Sequence, residues 1–313
     1  MKLLLTSTSF QDTPGAHQER LAQTDFEVDL LRGPLKEEVL LPIIGNYDAV
    51  ICGDDEFTAQ VIQAGVSGKL KFISKYGIGL DKIDLSAARD AGIPVTNCPG
   101  VNHITVAEHV LALLLTFYKN IHLEYNVTRT GGWKRHIGHE IFGKAIGILG
   151  FGKIGREVAQ RCTAMGMKVS AYDVEMDEEY ARNIQVDVKD SVEVLVKDID
   201  ILSLHLPLTD RSRGLINADL LELSSRKLVL VNTSRALIVH QESLLQALTE
   251  KKLAAYLTDV LEEEPMLPDH PLLKFDNVLI TPHIGSRTYE SVQRQGLMAV
   301  DNLLKGMGIE LEH

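Results

Sequence analysis

The chain has 313 residues, 45% of them hydrophobic, enough for two domains with sizeable cores. Its net charge of −11 disfavours nucleic acid and anionic membrane surfaces as partners. Cys52, Cys98 and Cys162 are scattered without C-x-x-C spacing. That suits reduced thiols in a cytoplasmic protein better than disulfides or a metal site. No secretory leader is visible, and the longest apolar run, Val110 to Tyr118, is far short of a membrane span.

Taken in order, residues 2–5 predict a short strand, and 49–52, 71–74 and 93–96 predict three more. Amphipathic stretches at 18–31, 37–44, 59–64 and 85–91 predict helices between them. Such alternation implies a parallel sheet covered on both faces. Residues 105–126 predict one long helix, apolar nearly all round and therefore buried. Strands follow at 145–149, 167–172, 199–205, 227–232, 254–258 and 278–281, with helices at 156–165, 191–196, 218–223 and 241–249. A last helix at 288–305 is expected to return to the first unit. The expectation is two α/β units with doubly wound parallel sheets, 1–102 plus 286–313 and 103–285.

The sequence Gly150-Phe151-Gly152-Lys153-Ile154-Gly155 directly follows the strand at 145–149 and opens a helix. Gly150 permits the tight turn, Gly152 lets backbone approach a pyrophosphate, and Gly155 lets helix and strand pack closely. Asp173 ends the next strand, 18 residues past Gly155, where a carboxylate can bind both ribose hydroxyls of an adenosine. That carboxylate repels a 2′-phosphate, and Val174-Glu175-Met176 offers no arginine to hold one. The cofactor expected is NAD rather than NADP.

Three sites fall at carboxyl ends of strands in the second unit, the edge where open α/β sheets bind ligands. Arg235, after Asn232-Thr233-Ser234, can fork onto a carboxylate, though alone it reads equally as a surface arginine capping a helix. Glu262-Glu263-Glu264, taken alone, reads as a solvated loop. His283 ends a strand and is followed by Ile284-Gly285. A histidine paired with a carboxylate suits proton exchange with an oxygen. Together the three suit reversible oxidation of a 2-hydroxy acid. Arg235 would hold the substrate carboxylate, His283 would exchange the hydroxyl proton, and Glu264 would orient His283.

Over nearly its whole length the chain resembles the D-isomer-specific 2-hydroxyacid dehydrogenases. The resemblance is carried by Tyr76-Gly77-Ile78-Gly79-Leu80-Asp81, Asn97-Cys98-Pro99-Gly100, Val106-Ala107-Glu108-His109 and the glycine loop. It continues through Ser203-Leu204-His205-Leu206-Pro207, Asn232-Thr233-Ser234-Arg235-Ala236, Asp259 with Glu264-Pro265, and Pro282-His283-Ile284-Gly285. It implies a Rossmann NAD-binding domain and a flavodoxin-like substrate domain. It implies Arg235, Glu264 and His283 as the catalytic trio and Asp259 as the residue holding the nicotinamide amide. Lys153 and Ile154 would meet the pyrophosphate, and Thr233 and Ser234 the nicotinamide ribose. Ile78 and Gly79 would turn backbone N–H groups to the substrate carboxylate. A homodimer joined through the cofactor domains is also implied. Two departures are Ser234 for the usual Ala and Ala236 for the usual Gly.

Overall resemblance makes 3-phosphoglycerate, oxidised to 3-phosphohydroxypyruvate, the leading substrate, in a branch without an appended regulatory domain. Lys75 and Arg135 are the candidate cations for its phosphate. Against it, Cys52-Gly53-Asp54-Asp55 stands where phosphoglycerate dehydrogenases often carry an Arg. Glycerate with hydroxypyruvate, or glyoxylate reduction, is the alternative. An NAD-sensing interaction protein is a further alternative, and formate dehydrogenase chemistry is disfavoured because Gln would replace Glu264.

Overall fold

The computed structural model describes residues 1–310; the last three residues of the expected 286–313 segment lie outside them. The chain divides into two units, residues 1–102 with 286–313, and 103–285. Three helices fix the geometry that matters here: α1 (His103–Tyr118), α2 (Lys153–Ala164) and α3 (Tyr289–Met307).

The first unit holds β1 (Lys2–Leu5), β2 (Glu27–Leu30), β3 (Ala49–Cys52), β4 (Phe72–Lys75) and β5 (Val95–Thr96). They form a parallel sheet in the order β2-β1-β3-β4-β5, the flavodoxin-like arrangement. β3 and β4 are buried at every position because both faces are covered. Alternation along β1 sends Leu3 and Leu5 to one core and Leu4 to the other. The first of these cores is closed by Val292, Ala299, Val300, Leu303 and Leu304 of α3. The helix lies close against β4: Ser74 Oγ donates to the Ala299 carbonyl at 2.7 Å. A Cβ added at Gly306 would come within 1.9 Å of the Phe72 ring.

The second unit holds β6 (Ala145–Leu149), β7 (Lys168–Tyr172), β8 (Asp187–Val188), β9 (Ile201–Leu204), β10 (Leu228–Asn232), β11 (Leu253–Thr258) and β12 (Val278–Ile280). All are parallel, in the order β12-β11-β10-β9-β6-β7-β8. The chain starts at β6, runs outward through β7 and β8, then returns to β9 on the other side. That reversal makes a topological switch point between β6 and β9. β10 sends Val229 and Val231 to the core beneath α1 and α2, and Leu228 and Leu230 to the opposite one.

Two expected elements differ. The stretch 18–31 is not one helix: Ala16–Ala22 is helical, and Glu27–Leu30 is β2, paired in register with β1. Thr24 Oγ1 caps the helix end by donating to the Leu21 carbonyl at 2.7 Å, and the following residues gain ladder bonds instead. The long helix at 105–126 breaks at Asn120, which adopts φ +56°, and resumes as Ile121–Arg129 at a 65° bend. Asparagine tolerates that left-handed angle, and the second segment buries no residue that would hold a straight path.

Candidate active site

The first candidate feature is the turn after β6. Gly150 adopts φ +97°, and a Cβ there would stand 2.5 Å from the His205 carbonyl oxygen. A Cβ at Gly155 would stand 2.0 Å from the Gly150 oxygen. Both positions therefore require glycine to close the strand onto α2. Gly152 differs, since a Cβ there would meet nothing within 4 Å. The space beside it is open, and the amino end of α2, where Lys153 and Ile154 lie, carries no side-chain cap. Its backbone N–H groups are placed for an anion. Asp173 is tied to this turn: Oδ2 accepts from Phe151 N at 2.6 Å and Oδ1 from Glu175 N at 3.0 Å.

The turn after β10 is built by Asn232, which is fully buried. Its Nδ2 donates to the Arg235 carbonyl at 2.9 Å, and its Oδ1 accepts from Ser234 N at 3.0 Å. Ser234 Oγ donates to the Leu204 carbonyl at 2.7 Å, tying the ends of β9 and β10. Thr233 Oγ1 is buried with no hydrogen-bond partner among the described residues, a polar atom that a ligand hydroxyl can satisfy. Arg235 follows in extended conformation, its Nη1 donating to the Ser234 carbonyl at 2.7 Å. Ala236 begins a short 3₁₀ turn and so needs no glycine.

Past β11 and β12 the chain brings Glu264 and His283 together. His283 Nδ1 lies 2.7 Å from Glu264 Oε2, while Glu264 Oε1 accepts from Leu261 N at 2.9 Å. The backbone at His283 takes φ +53°. Asp259 is buried, with Oδ1 accepting from Thr281 Oγ1 at 2.5 Å and Ile284 N at 2.9 Å, and Oδ2 from Gly285 N at 2.7 Å. Burial alone would raise its pKa. Hydrogen bonds from His109, Thr281 and the Ile284 N–H outweigh that and hold it below the ordinary carboxylate value. A carboxylate has about four acceptor sites, so little of Asp259 beyond Oδ2 is left for an amide.

Arg235, Glu264 and His283 thus follow three neighbouring strands, β10, β11 and β12, at one edge of one sheet. The glycine turn, Asp173, Thr233 and Ser234 share that edge. Sequence reasoning gave no role to His109, Thr281, Asn232 or His205. Their only signal was membership of motifs quoted for resemblance or adjacency to named residues. His205 Nε2 pairs with Ser203 Oγ at 2.9 Å, and burial pushes its pKa down to about 3, so the ring stays neutral.

In the first unit Lys75 ends β4 and is buried. Its Nζ donates to the Gly53 carbonyl at 2.6 Å and to Asp54 Oδ1 at 2.7 Å. Asp55 is fully buried, accepting from the Thr6 hydroxyl, from Gly53 N at 2.9 Å and from Leu35 N at 2.6 Å. Burial pushes its pKa up. Gly77 takes φ +119°, and the loop continues through Ile78, which is partly exposed, to Gly79. Asn97 Nδ2 holds the Ile78 carbonyl at 2.7 Å.

The residues of the second unit fit a dinucleotide through the open Gly152 cradle, the uncapped amino end of α2, the placed Asp173 carboxylate and the unpartnered Thr233 hydroxyl. Residues 111–285 match the family model of the D-isomer specific 2-hydroxyacid dehydrogenase NAD binding domain. The chain is 37% identical over 295 residues to a D-3-phosphoglycerate dehydrogenase of Archaeoglobus fulgidus, covering 92% of this chain and 55% of the relative. It therefore spans little more than half that relative's length. It is 36% identical over 295 residues to a hydroxypyruvate reductase of Thermotoga maritima, covering 93% and 94% of the two chains. A Staphylococcus aureus NAD-dependent formate dehydrogenase solved with NAD superposes with a TM-score of 0.83 at 27% identity, covering 97% and 95%. The chain belongs to the D-isomer specific 2-hydroxyacid dehydrogenase family, and its second unit is the NAD-binding domain.

Proposed function

We propose that the protein interconverts a small D-2-hydroxy acid and its 2-oxo acid, with NAD as the redox partner. The observation that carries this reading is the 2.7 Å contact between His283 Nδ1 and Glu264 Oε2. With the Nδ1 proton committed to Glu264, Nε2 is the nitrogen that takes a proton from the substrate hydroxyl and returns it to the carbonyl oxygen. A developing imidazolium is stabilised by the same carboxylate. Arg235 holds the substrate carboxylate and polarises the carbonyl. NAD, when bound, accepts or supplies the hydride.

Overall identity supports 3-phosphoglycerate as substrate, but the local charge of the first unit supports an unphosphorylated acid. Lys75 is already neutralised by Asp54, whose Oδ1 lies 2.7 Å from its Nζ. A dianionic phosphate gains little there. The 36% identity to a hydroxypyruvate reductase is consistent with that choice, so glycerate with hydroxypyruvate, or glyoxylate, is the proposed pair. The test is NADH oxidation by the purified protein with hydroxypyruvate, glyoxylate and phosphohydroxypyruvate. Highest kcat/KM on an unphosphorylated acid is expected, a preference for phosphohydroxypyruvate would reverse the substrate assignment, and no turnover on any would favour an NAD-sensing role.

We also propose a homodimer. Trp133, Ile137 and Phe142 are 83%, 94% and 74% exposed on the second unit, apolar surface that a second copy would cover. The buried, unpaired cysteines suit a cytoplasmic location.

A further inference from the structure

The ends of β11 and β12 are joined to α1 by a chain of polar contacts that the proposed chemistry does not use. His109, on α1, sets Nε2 2.9 Å from Thr281 Oγ1 and 3.4 Å from Asp259 Oδ1. Thr281 in turn meets Asp259 Oδ1 at 2.5 Å. A hydroxyl has one proton, and at that distance it lies toward the carboxylate. The contact with His109 then requires a proton on Nε2, so His109 is the donor at the head of the chain. At the other end Asp259 holds the backbone N–H groups of Ile284 and Gly285. The corner leaves no room for slack. A Cβ at Gly285 would stand 2.9 Å from Asp259 Oδ2 and 3.5 Å from His109 Cδ2.

The backbone held in this way is the segment that carries His283. Its φ of +53° is a left-handed angle that a residue with a Cβ adopts only under strain. Such an angle persists only where neighbouring contacts impose it. Glu264 fixes the imidazole from the side-chain end, and Asp259 fixes the chain immediately downstream. We infer that His109 is a positioning residue. Through Thr281 and Asp259 it holds residues 284–285 and so sets where His283 Nε2 stands. This rests on the proposed catalytic role of His283.

The test compares His109→Leu, which has no donor, with His109→Gln, whose amide can donate from nearly the same place, in the full chain. His109→Leu is expected to lower kcat by about 10- to 100-fold, the scale set by small misplacement of a reacting group. NADH affinity, read by fluorescence titration, is expected to stay within about 3-fold, and the solvent deuterium isotope effect on kcat to rise. His109→Gln is expected to recover kcat to within about 3-fold of the parent. Thr281→Val breaks the same chain elsewhere and should lose as much, with the double variant losing no more than the worse single. It also decides the matter if His109→Leu does not fold. An unchanged kcat in both, equal loss in His109→Gln, or loss of NADH affinity in step with kcat would overturn the inference. His283→Asn separates the two readings. If it retains turnover, the catalytic role of His283 fails. If it abolishes turnover while His109→Leu is silent, only the positioning role fails.

Discussion

An imidazole serves as a directed proton carrier when one of its nitrogens is committed to a fixed partner. In the proposed mechanism the Glu264 contact supplies that commitment, and Arg235 the charge that recognises a carboxylate. Arg235→Ala is therefore expected to cut kcat/KM by at least about 100-fold while NADH still binds, measured by steady-state rates beside fluorescence titration. Asp259 adds a dependence on pH. Its folded-state pKa is depressed, so its contribution to stability is present above the unfolded value and lost as pH falls through the folded one. Asp259→Asn cannot accept on both arms and is expected to cost about 1–3 kcal/mol at pH 7, seen as a lower thermal midpoint. That deficit should shrink as the pH falls through the depressed folded-state pKa, where the parent carboxylate is itself protonated. His283 was open to sequence reasoning as a histidine at the end of a strand, whereas Glu264, one of three successive glutamates, read alone as a solvated loop and was singled out only through the family resemblance. The His109 link was not legible, because its partner Thr281 is 172 positions away and only the adjacency of strands and helix joins them.

Among the elements, the turn between β6 and α2 tolerates little change. Gly155→Ala would push a methyl group to 2.0 Å from the Gly150 oxygen, a backbone atom that cannot step aside. The expected result is a loss of about 1–3 kcal/mol in stability, with NADH affinity falling alongside it. Denaturant unfolding and fluorescence titration would read both. This turn was legible because glycine spacing, a preceding apolar strand and a following helix all agree. β2 was not legible. Leu21, Phe26 and Val28 fit a helical spacing as well as a strand, and pairing with β1 decided the matter. The break at Asn120 was hidden for a related reason. Ile121 and Leu123 continue the apolar spacing past Lys119-Asn120, and the segment they begin buries no residue.

For the molecule as a whole, the apolar surface around Trp133 and Phe142 predicts self-association. Sedimentation is expected to give about twice the monomer mass. Trp133→Glu with Phe142→Glu should shift the mass toward monomer. A parent that sediments as a monomer at micromolar concentration would remove the dimer proposal.

The division of the first unit between 1–102 and 286–313 has a consequence for synthesis. As the chain leaves the ribosome, β1 to β5 appear first, but the helix covering one side of their sheet is translated after the entire second unit. Until α3 emerges, Leu3, Leu5, Phe10 and Phe72 lack the side chains that shield them. The NAD-binding unit is continuous and can complete its core during that wait. The first part to be made is therefore the last to be finished, and a nascent chain halted before Tyr289 presents a bare apolar sheet face that chaperones would bind.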